Sequence, residues 1–433
     1  MLSKKNFEKL KKKILKKTVN VSVVGLGYVG LPLANLIQNK KFNVIGYDVD
    51  KNKIKSLNNK KNYIPHLKLN FSNKISFTHN IDDIKKVDIV IIALPTPLKK
   101  KRPNLEFLKK FIDEFEKNFK NKLIIFESTS YPGTMREYFI DRLKKKKKLI
   151  AGKDVFFSFS PERINPGQNE NTLGKIPKII SGETKYCQLL IKHFYSRIFN
   201  EVYLSTNIET AEFTKILENV YRAVNIAFIN EIKYLADPLN VNLIDAIEGA
   251  KTKPFGYEPF YPGPGIGGHC IPIDPLYLTW KAKQIGIKTR FINLSEQINR
   301  ENVKKIFKYL TSIKKRYKKF NVLILGVAYK KNIDDIRESS SVKLMRNLKD
   351  KNINFEYCDP YVKELKKNNS EINFNKKSLN FNKINYKKFQ VLVLMTDHDI
   401  FKYKIIKKKS NIIVDTRYRF MKMNIKNKNI INL

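Results

Sequence analysis

Short apolar runs alternate with helical stretches through the N-terminal half of the chain. Val19 to Val24 is a β-branched run of buried-strand type that leads into a glycine turn and a helix through about Asn39. Val44 to Tyr47 is a second strand ending at Asp48, and Val87 to Leu94, Leu123 to Phe126 and Val155 to Phe159 repeat the pattern. Strands apolar at every position and separated by helices predict a parallel sheet covered on both faces. From about Thr206 to Ala236 the pattern lengthens into one helix. Ala211, Ile216, Val220, Val224 and Phe228 mark an apolar side too long for one small lobe to cover, a candidate dimer face. A second strand–helix series starts at Asn321, with Val322 to Val327, Ile353 to Tyr357 leading to Asp359, Val391 to Met395 and Ile412 to Asp415. The Lys-rich lead before Val19 carries Phe7, Leu10 and Ile14 at helical spacing. It predicts a short amphipathic helix packed on the body, with an apolar face too narrow for a membrane anchor.

Composition narrows the class. A chain of 433 residues with 42% hydrophobic content has material for two or three domains, each with its own core. No stretch approaches the roughly 20 apolar residues of a membrane span, and no signal peptide is visible near Met1. Three scattered cysteines, Cys187, Cys270 and Cys358, argue against a disulfide framework and for a reducing cytoplasm. The net charge of +45 invites a nucleic-acid reading, yet it comes from 72 Lys and only 13 Arg. A phosphate-reading protein draws more on clustered Arg for bidentate contacts. Lys spread among many Asn and Ile fits the coding bias of an AT-rich genome. Runs such as Lys144 to Lys148 and Lys407 to Lys409 are therefore read as solvated surface. No specific nucleic-acid partner and no membrane partner are expected.

Two motifs carry chemistry. Gly25, Gly27 and Gly30 form a GxGxxG between a strand and a helix, with Asp48 at the end of the next strand. Such a turn brings the backbone close to a pyrophosphate at a helix N-terminus, and the acid accepts hydrogen bonds from ribose hydroxyls. A carboxylate there would repel a 2′-phosphate, which favours NAD over NADP. The second motif is Gly263-Pro264-Gly265-Ile266-Gly267-Gly268-His269-Cys270, followed by Asp274. Five of the seven residues before the thiol are Gly or Pro, so the backbone is suited to close approach of a ligand. His269 is read as structural or substrate-lining, since adjacent side chains point in different directions. His193, His269 and Cys270 share no ligand spacing, so no metal site is expected. A hydride acceptor and a nucleophilic thiol in one chain fit a primary alcohol oxidised twice. The aldehyde would be trapped as a thiohemiacetal, oxidised to a thioester and released by water.

The chain resembles the UDP-glucose/GDP-mannose dehydrogenase superfamily. The matching segments, in family order, are VVGLGYVGLPLA from Val23, PTP from Pro95, ESTSYPGT from Glu127, SPERINPG from Ser160 and KILENVYRAVNIAFINE from Lys215. They continue with PGPGIGGHCIPIDP from Pro262, LGVAYKKNIDDIRESS from Leu325 and DTR at Asp415. The resemblance implies two Rossmann-like, doubly wound α/β domains joined by a long central helix and a helical middle domain. The implied borders are an NAD-binding domain at 1–205, a dimerisation domain with the Cys loop at 206–310, and a UDP-sugar-binding domain at 311–433. It implies Cys270 as nucleophile, Lys215 and Asn219 as the pair that stabilises the oxyanion and orders water, and Asp274 as an assisting carboxylate. Glu162 is implied as base for hydrolysis and Thr129 as a neighbour of cofactor and water. Cofactor contacts fall on Gly25, Gly27, Tyr28, Val29, Gly30, Asp48, Lys53, Thr96, Thr129 and Arg337. Substrate contacts fall on Glu162, Arg163, Ile164, Asn165, Lys215, Asn219, Gly267, Lys330 and Arg417, with Tyr257, Phe260 and Tyr261 walling the sugar.

Three positions leave the UDP-glucose pattern. Ile273 stands where that branch commonly has Lys before the aspartate, Pro166 replaces a second glutamate, and His269 replaces a small residue. They resemble the branch acting on N-acetylated sugars, above all the UDP-N-acetylglucosamine 6-dehydrogenases, with the N-acetylmannosamine enzymes close behind. A two-electron dehydrogenase of the hydroxyacid type would share the first domain and long helix and leave Cys270 without a task. A basic nucleic-acid or membrane-surface binder on a retained shell would form no NADH at all.

Overall fold

The computed structural model describes residues 2–64, 69–99, 102–163, 174–367, 372–425 and 427–433. The chain folds as two compact units, Met1–Glu218 with Leu276–Gly286, and Asn219–Pro275 with Ile287–Leu433. The long helix Ile208–Ala236 contributes residues to both.

The first unit is built on eight strands: β1 (Asn20–Val24), β2 (Asn43–Tyr47), β3 (Ile75–Thr78), β4 (Ile89–Ile92), β5 (Leu123–Phe126), β6 (Phe156–Phe159), β7 (Lys178–Gly182) and β8 (Val202–Leu204). Their order is β8-β7-β6-β5-β4-β1-β2-β3. β4, β5 and β6 are buried at every position, as expected of strands covered on both faces. All pairs are parallel except β6 with β7, where Ser158 pairs Gly182 and Phe159 pairs Ser181. The expected wholly parallel sheet is thus interrupted once. A parallel return needs a crossover, usually a helix, and no helix separates β6 from β7 among the described residues. The N-terminal helix Leu2–Leu15 packs as its spacing predicts: Phe7, Leu10 and Ile14 are buried in this core, and Phe7 stacks on Tyr186 at 4.6 Å.

The second unit carries an all-parallel sheet of β9 (Asn321–Leu325), β10 (Asn354–Cys358), β11 (Val391–Leu394), β12 (Ile412–Asp415) and β13 (Ile430–Asn432), in the order β10-β9-β11-β12-β13. Four of these strands follow the expected runs; β13, three residues long, has no such run.

The long helix departs from its sequence reading. Ala211 and Ile216 are buried, Val220 and Val224 are half-buried, and Phe228 is exposed, so these five do not form one side. The buried side mixes the polar Glu212, Lys215, Asn219, Asn230 and Lys233 with small or aliphatic residues such as Ala211, Ile216, Ala223, Ala227 and Ile229, while Phe213, Leu217, Tyr221, Phe228 and Leu235 face outward. Hydrophobic periodicity marks two separate apolar stripes here, and pattern alone cannot say which one faces the core.

Candidate active site

In the first unit the candidate cofactor residues gather at the carboxyl ends of adjacent strands. β1 lies between β2 and β4, where the strand order reverses, and an open sheet has its ligand crevice at such a point. The glycine turn follows β1, Asp48 follows β2, Thr96 follows β4 and Thr129 follows β5. Gly25 adopts φ +91°, and a Cβ on it would meet the Ala93 oxygen at 2.7 Å. A Cβ on Gly30 would stand 1.9 Å from the Gly25 oxygen, which fixes how closely the helix Gly30–Asn39 packs on the turn. Gly27 differs: a Cβ there would meet nothing within 4 Å. The open side of the turn lies over a helix whose N-cap, Val29, provides no side-chain hydrogen bond. The Leu31 N–H turns back to the Gly27 carbonyl at 3.1 Å, and a helix start without a side-chain cap suits an anion.

Asp48 is buried. It accepts the Leu26 N–H at 2.9 Å and the Asp50 N–H at 3.0 Å, and pairs with Lys53 at 3.3 Å. The Tyr63 hydroxyl donates to the Leu26 carbonyl, with the Lys53 ammonium 5.9 Å from its ring. Tyr28 is half-buried against the same core. Thr96 donates to the Thr129 carbonyl at 2.6 Å and so joins two loops of the crevice. These groups fit a dinucleotide: uncapped amides, an open glycine face and a carboxylate at the ribose end.

Glu162 and Arg163 follow β6. Glu162 is buried, pairs with Lys178 at 2.8 Å and accepts the Arg163 N–H at 2.7 Å. Arg163 pairs with Glu218 at 2.6 Å. Ile164 and Asn165 lie outside the described residues. Lys215 is 6% exposed on the long helix and has no hydrogen-bond or ion-pair partner among the described residues. Glu212, one turn earlier, accepts the Gly133 N–H at 2.6 Å and the Met135 N–H at 3.0 Å. It anchors the loop that bears Thr129. Burial pushes its carboxyl up to about 8 against those hydrogen bonds.

The second unit holds the thiol. Cys187 and Cys358 are buried, and desolvation raises both thiols, Cys358 to about 12; Cys270 is half-exposed. The Cys270 carbonyl accepts the Ile273 N–H at 3.0 Å and the Asp274 N–H at 2.8 Å, fixing the turn into the helix Asp274–Gln284. Asn219 donates its amide to Asp274, and Arg222 donates to Asn219, with Asn219 and Asp274 fully buried. The glycines before the thiol have a nearer neighbour than a ligand. A Cβ on Gly267 would lie 2.5 Å from Tyr329 Cβ, and one on Gly268 2.9 Å from the Tyr329 ring. His269 faces the Arg337 segment, where burial and then the Arg337 charge lower its imidazole.

Lys330 follows β9, and burial followed by the Arg222 charge lowers its ammonium. Arg417 follows β12; it donates to the carbonyls of Met395 at 2.8 Å and Tyr329 at 3.3 Å. Arg337 is bidentate to Asp335 at 3.0 and 2.6 Å. Tyr261 donates to Glu248 at 2.6 Å, Phe260 packs edge-on to Tyr221 at 5.9 Å, and Tyr257 is exposed.

The sequence matches family profiles described as the NAD-binding, central and UDP-binding domains of the UDP-glucose/GDP-mannose dehydrogenase family, at residues 19–199, 209–301 and 323–422. The chain belongs to this family. The dehydrogenase is 36% identical to protein CapL of Staphylococcus aureus, over 77% of this chain and 80% of CapL. It is 34% identical to the UDP-N-acetyl-D-glucosamine 6-dehydrogenase of Pseudomonas aeruginosa, over 80% of this chain and 84% of that protein. The solved UDP-D-ManNAc dehydrogenase of Pyrococcus horikoshii aligns with a TM-score of 0.81 at 28% identity, covering 95% of this chain and 98% of that one. The dehydrogenase is an NAD-binding oxidoreductase of nucleotide sugars, and no described helix is long and apolar enough to cross a membrane.

Within the first unit of the dehydrogenase the fold brings together the glycine turn, Asp48, Lys53, Thr96 and Thr129. Within the second it brings together Asn219, Cys270 and Asp274. Sequence reasoning passed over Glu127, Lys178, Tyr195, Glu212, Tyr63 and His398, the buried partner of Asp359. Two signals were available: Glu212 shares the helix face of Lys215 and Asn219, and Lys178 is a lone cation opening an apolar strand.

Proposed function

We propose that the enzyme oxidises the C6 hydroxyl of UDP-N-acetylglucosamine by four electrons to the uronic acid, in the cytoplasm, for surface polysaccharide biosynthesis. The observation that carries this is the half-exposed thiol of Cys270, one turn before the buried Asn219–Asp274 pair. NAD, when bound, supplies the hydride acceptor for each of the two oxidations, with Gly25, Gly27, Tyr28, Val29, Gly30, Asp48, Lys53, Thr96, Thr129 and Arg337 as its contacts. The Asn219–Asp274 pair orients a water that takes the alcohol proton. Cys270 attacks the aldehyde carbon, and the buried Lys215 ammonium balances charge on the oxygen. Glu162 then draws the proton from the hydrolytic water, with Thr129 beside it. Lys330 and Arg417 take the pyrophosphate end. Arg163, Ile164, Asn165, Gly267, Tyr257, Phe260 and Tyr261 complete the substrate site.

The N-acetylated sugar is supported by Ile273, which is buried before Asp274, and by the relative named for UDP-N-acetyl-D-glucosamine. Relatives named for N-acetylmannosamine favour that epimer as the second reading. The three-part division at 1–205, 206–310 and 311–433 is supported by the three family segments. A homodimer through the central helix is supported by its outward apolar stripe. Cytoplasmic residence is supported by three cysteines that form no disulfide.

The test follows NADH with UDP-glucose, UDP-N-acetylglucosamine, UDP-N-acetylmannosamine, UDP-N-acetylgalactosamine and GDP-mannose. Two NADH per UDP-N-acetylglucosamine consumed, with acid formation abolished in Cys270→Ser, is the expected result. One NADH with free aldehyde, or full acid formation by the Ser variant, overturns it.

A further inference from the structure

Behind Glu162 lies a buried polar cluster that the reaction scheme uses only in part. Lys178 Nζ stands 2.8 Å from Glu127 Oε2 and 2.8 Å from Glu162 Oε2. The Tyr195 hydroxyl donates to the other Glu127 oxygen, and the Arg163 N–H donates to Glu162 Oε1. The side chains of Lys178, Glu127 and Glu162 are 3%, 0% and 8% exposed. Among the described residues the charged and titratable groups facing Glu127 are Lys178, Glu162 and Tyr195. The Arg163 guanidinium is turned away, to the Pro177 carbonyl at 2.9 Å and to Glu218.

Two carboxyl groups therefore share one ammonium in a dry interior. With both ionised, one negative charge is left uncompensated, so the cluster keeps a proton readily. The surroundings decide where it rests. Burial, together with the Glu162 charge, pushes Glu127 up to about 7 against the pull of Lys178 and Tyr195. Burial alone would raise Glu162 too. The Lys178 charge, with hydrogen bonds from Lys178, Glu127 and the Arg163 N–H, outweighs it and holds Glu162 below the usual carboxylate range.

We infer that Glu127 is a positioning residue for thioester hydrolysis, holding beside Lys178 the proton that Glu162 draws from water. This rests on Glu162 being the hydrolytic base. In the step, one water O–H bond breaks as a C–O bond forms at the thioester carbonyl. The C–S bond then breaks and Cys270 leaves as thiolate. One water proton passes to Glu162 and is shared with Glu127 through their carboxyl–carboxylate hydrogen bond. The other ionises from the new carboxylic acid. No electrons change hands. With Glu127 ionised, Glu162 has a negative neighbour and is the stronger base; with Glu127 protonated, it is the weaker one.

The experiment measures acid release from the acyl-enzyme against pH for the full-length enzyme with NAD and UDP-N-acetylglucosamine. In the wild type, release should rise by up to about tenfold through neutral pH, as one unit of added basicity allows. Glu127→Gln mimics the protonated carboxyl, so it should keep the low-pH rate across the range. A rise retained in that variant overturns the inference. Infrared difference spectra between acid and alkaline pH compare the wild type with Glu127→Gln and with Glu212→Gln: a buried carboxyl that loses its proton near neutrality, persists in Glu212→Gln and is missing from Glu127→Gln is expected, and its absence from the wild type or from Glu212→Gln, or its persistence in Glu127→Gln, overturns the inference. Glu162→Gln examines the base separately. It should slow acid release by about 10²-fold or more and let the acyl-enzyme accumulate. Full acid release by Glu162→Gln removes the base assignment and the role of Glu127 with it, an outcome distinct from a rise that persists in Glu127→Gln.

Discussion

Alanine at two glycines of the same turn should have opposite consequences. At Gly30 the added Cβ would stand 1.9 Å from the Gly25 carbonyl oxygen, a backbone atom that cannot rotate away. Reaching an ordinary contact takes a shift of about 1 Å or more between helix and turn, and overpacking of this kind costs about 1–3 kcal/mol or more. At Gly27 the Cβ would meet no protein atom within 4 Å, so the fold has no objection to it. Reduced freedom of the unfolded chain can then stabilise Gly27→Ala by up to about 1 kcal/mol. Its penalty falls on NAD alone, because the methyl occupies the space through which the amides reach the pyrophosphate. Losing one or two charge-assisted hydrogen bonds at about 1.5–3 kcal/mol each weakens binding by about tenfold to several hundredfold or more. Thermal denaturation without cofactor and calorimetric titration with NAD read the two terms separately. Gly27→Ala should keep its Tm and lose affinity, and Gly30→Ala should lose Tm first. An unaltered NAD affinity in Gly27→Ala, or a Tm drop equal to that of Gly30→Ala, would refute the reasoning.

Two further substitutions probe the second unit and the outward helix face. His398 accepts the Asn332 N–H at Nδ1, so its Nε2–H is directed at Asp359, 3.0 Å away. His398→Ala should cost about 3 kcal/mol in denaturant unfolding, from lost hydrogen bonds and the cavity left behind. Because Asn332 lies two residues from Lys330, steady-state kinetics should show a larger rise in KM for the UDP-sugar than fall in kcat. An unchanged KM would separate this loop from substrate binding. Leu217→Glu places a charge in the outward stripe, where Leu217 is 55% exposed. It should leave the melt of the chain intact and shift sedimentation toward the monomer, whereas a wild-type chain that is already monomeric at micromolar concentration would contradict the assembly.

The strands that alternation made legible are those apolar along their whole length, such as Ile89–Ile92 and Leu123–Phe126. Ile75–Thr78, Val202–Leu204 and Ile430–Asn432 escaped because each is three or four residues long and, Phe77 apart, none of their residues is fully buried. Candidate site residues were legible where one local segment carries them: the glycine turn with the Asp48 that follows, and the loop from Cys270 to Asp274. They were illegible where distant segments must meet. Glu127, Lys178 and Tyr195, which close around Glu162, come from two strand ends and a helix, and no spacing links them. The glycines before Cys270 taught the same lesson in reverse. Their openness suggested a ligand, and the side chain of Tyr329 lies against two of them.

The two sheets end in the same device with different occupancy. Asp48 receives three donors, from Leu26, Asp50 and Lys53, and a carboxylate has about four acceptor sites. Asp359, in the matching place after β10, receives five: Val327, Ala328, Tyr361, Val362 and His398. One acid retains acceptor capacity, and the other is already full. His398 thus behaves as a resident guest in the second mouth. Two look-alike folds thus differ at one matching acid, which is saturated from within the chain in the second and not in the first.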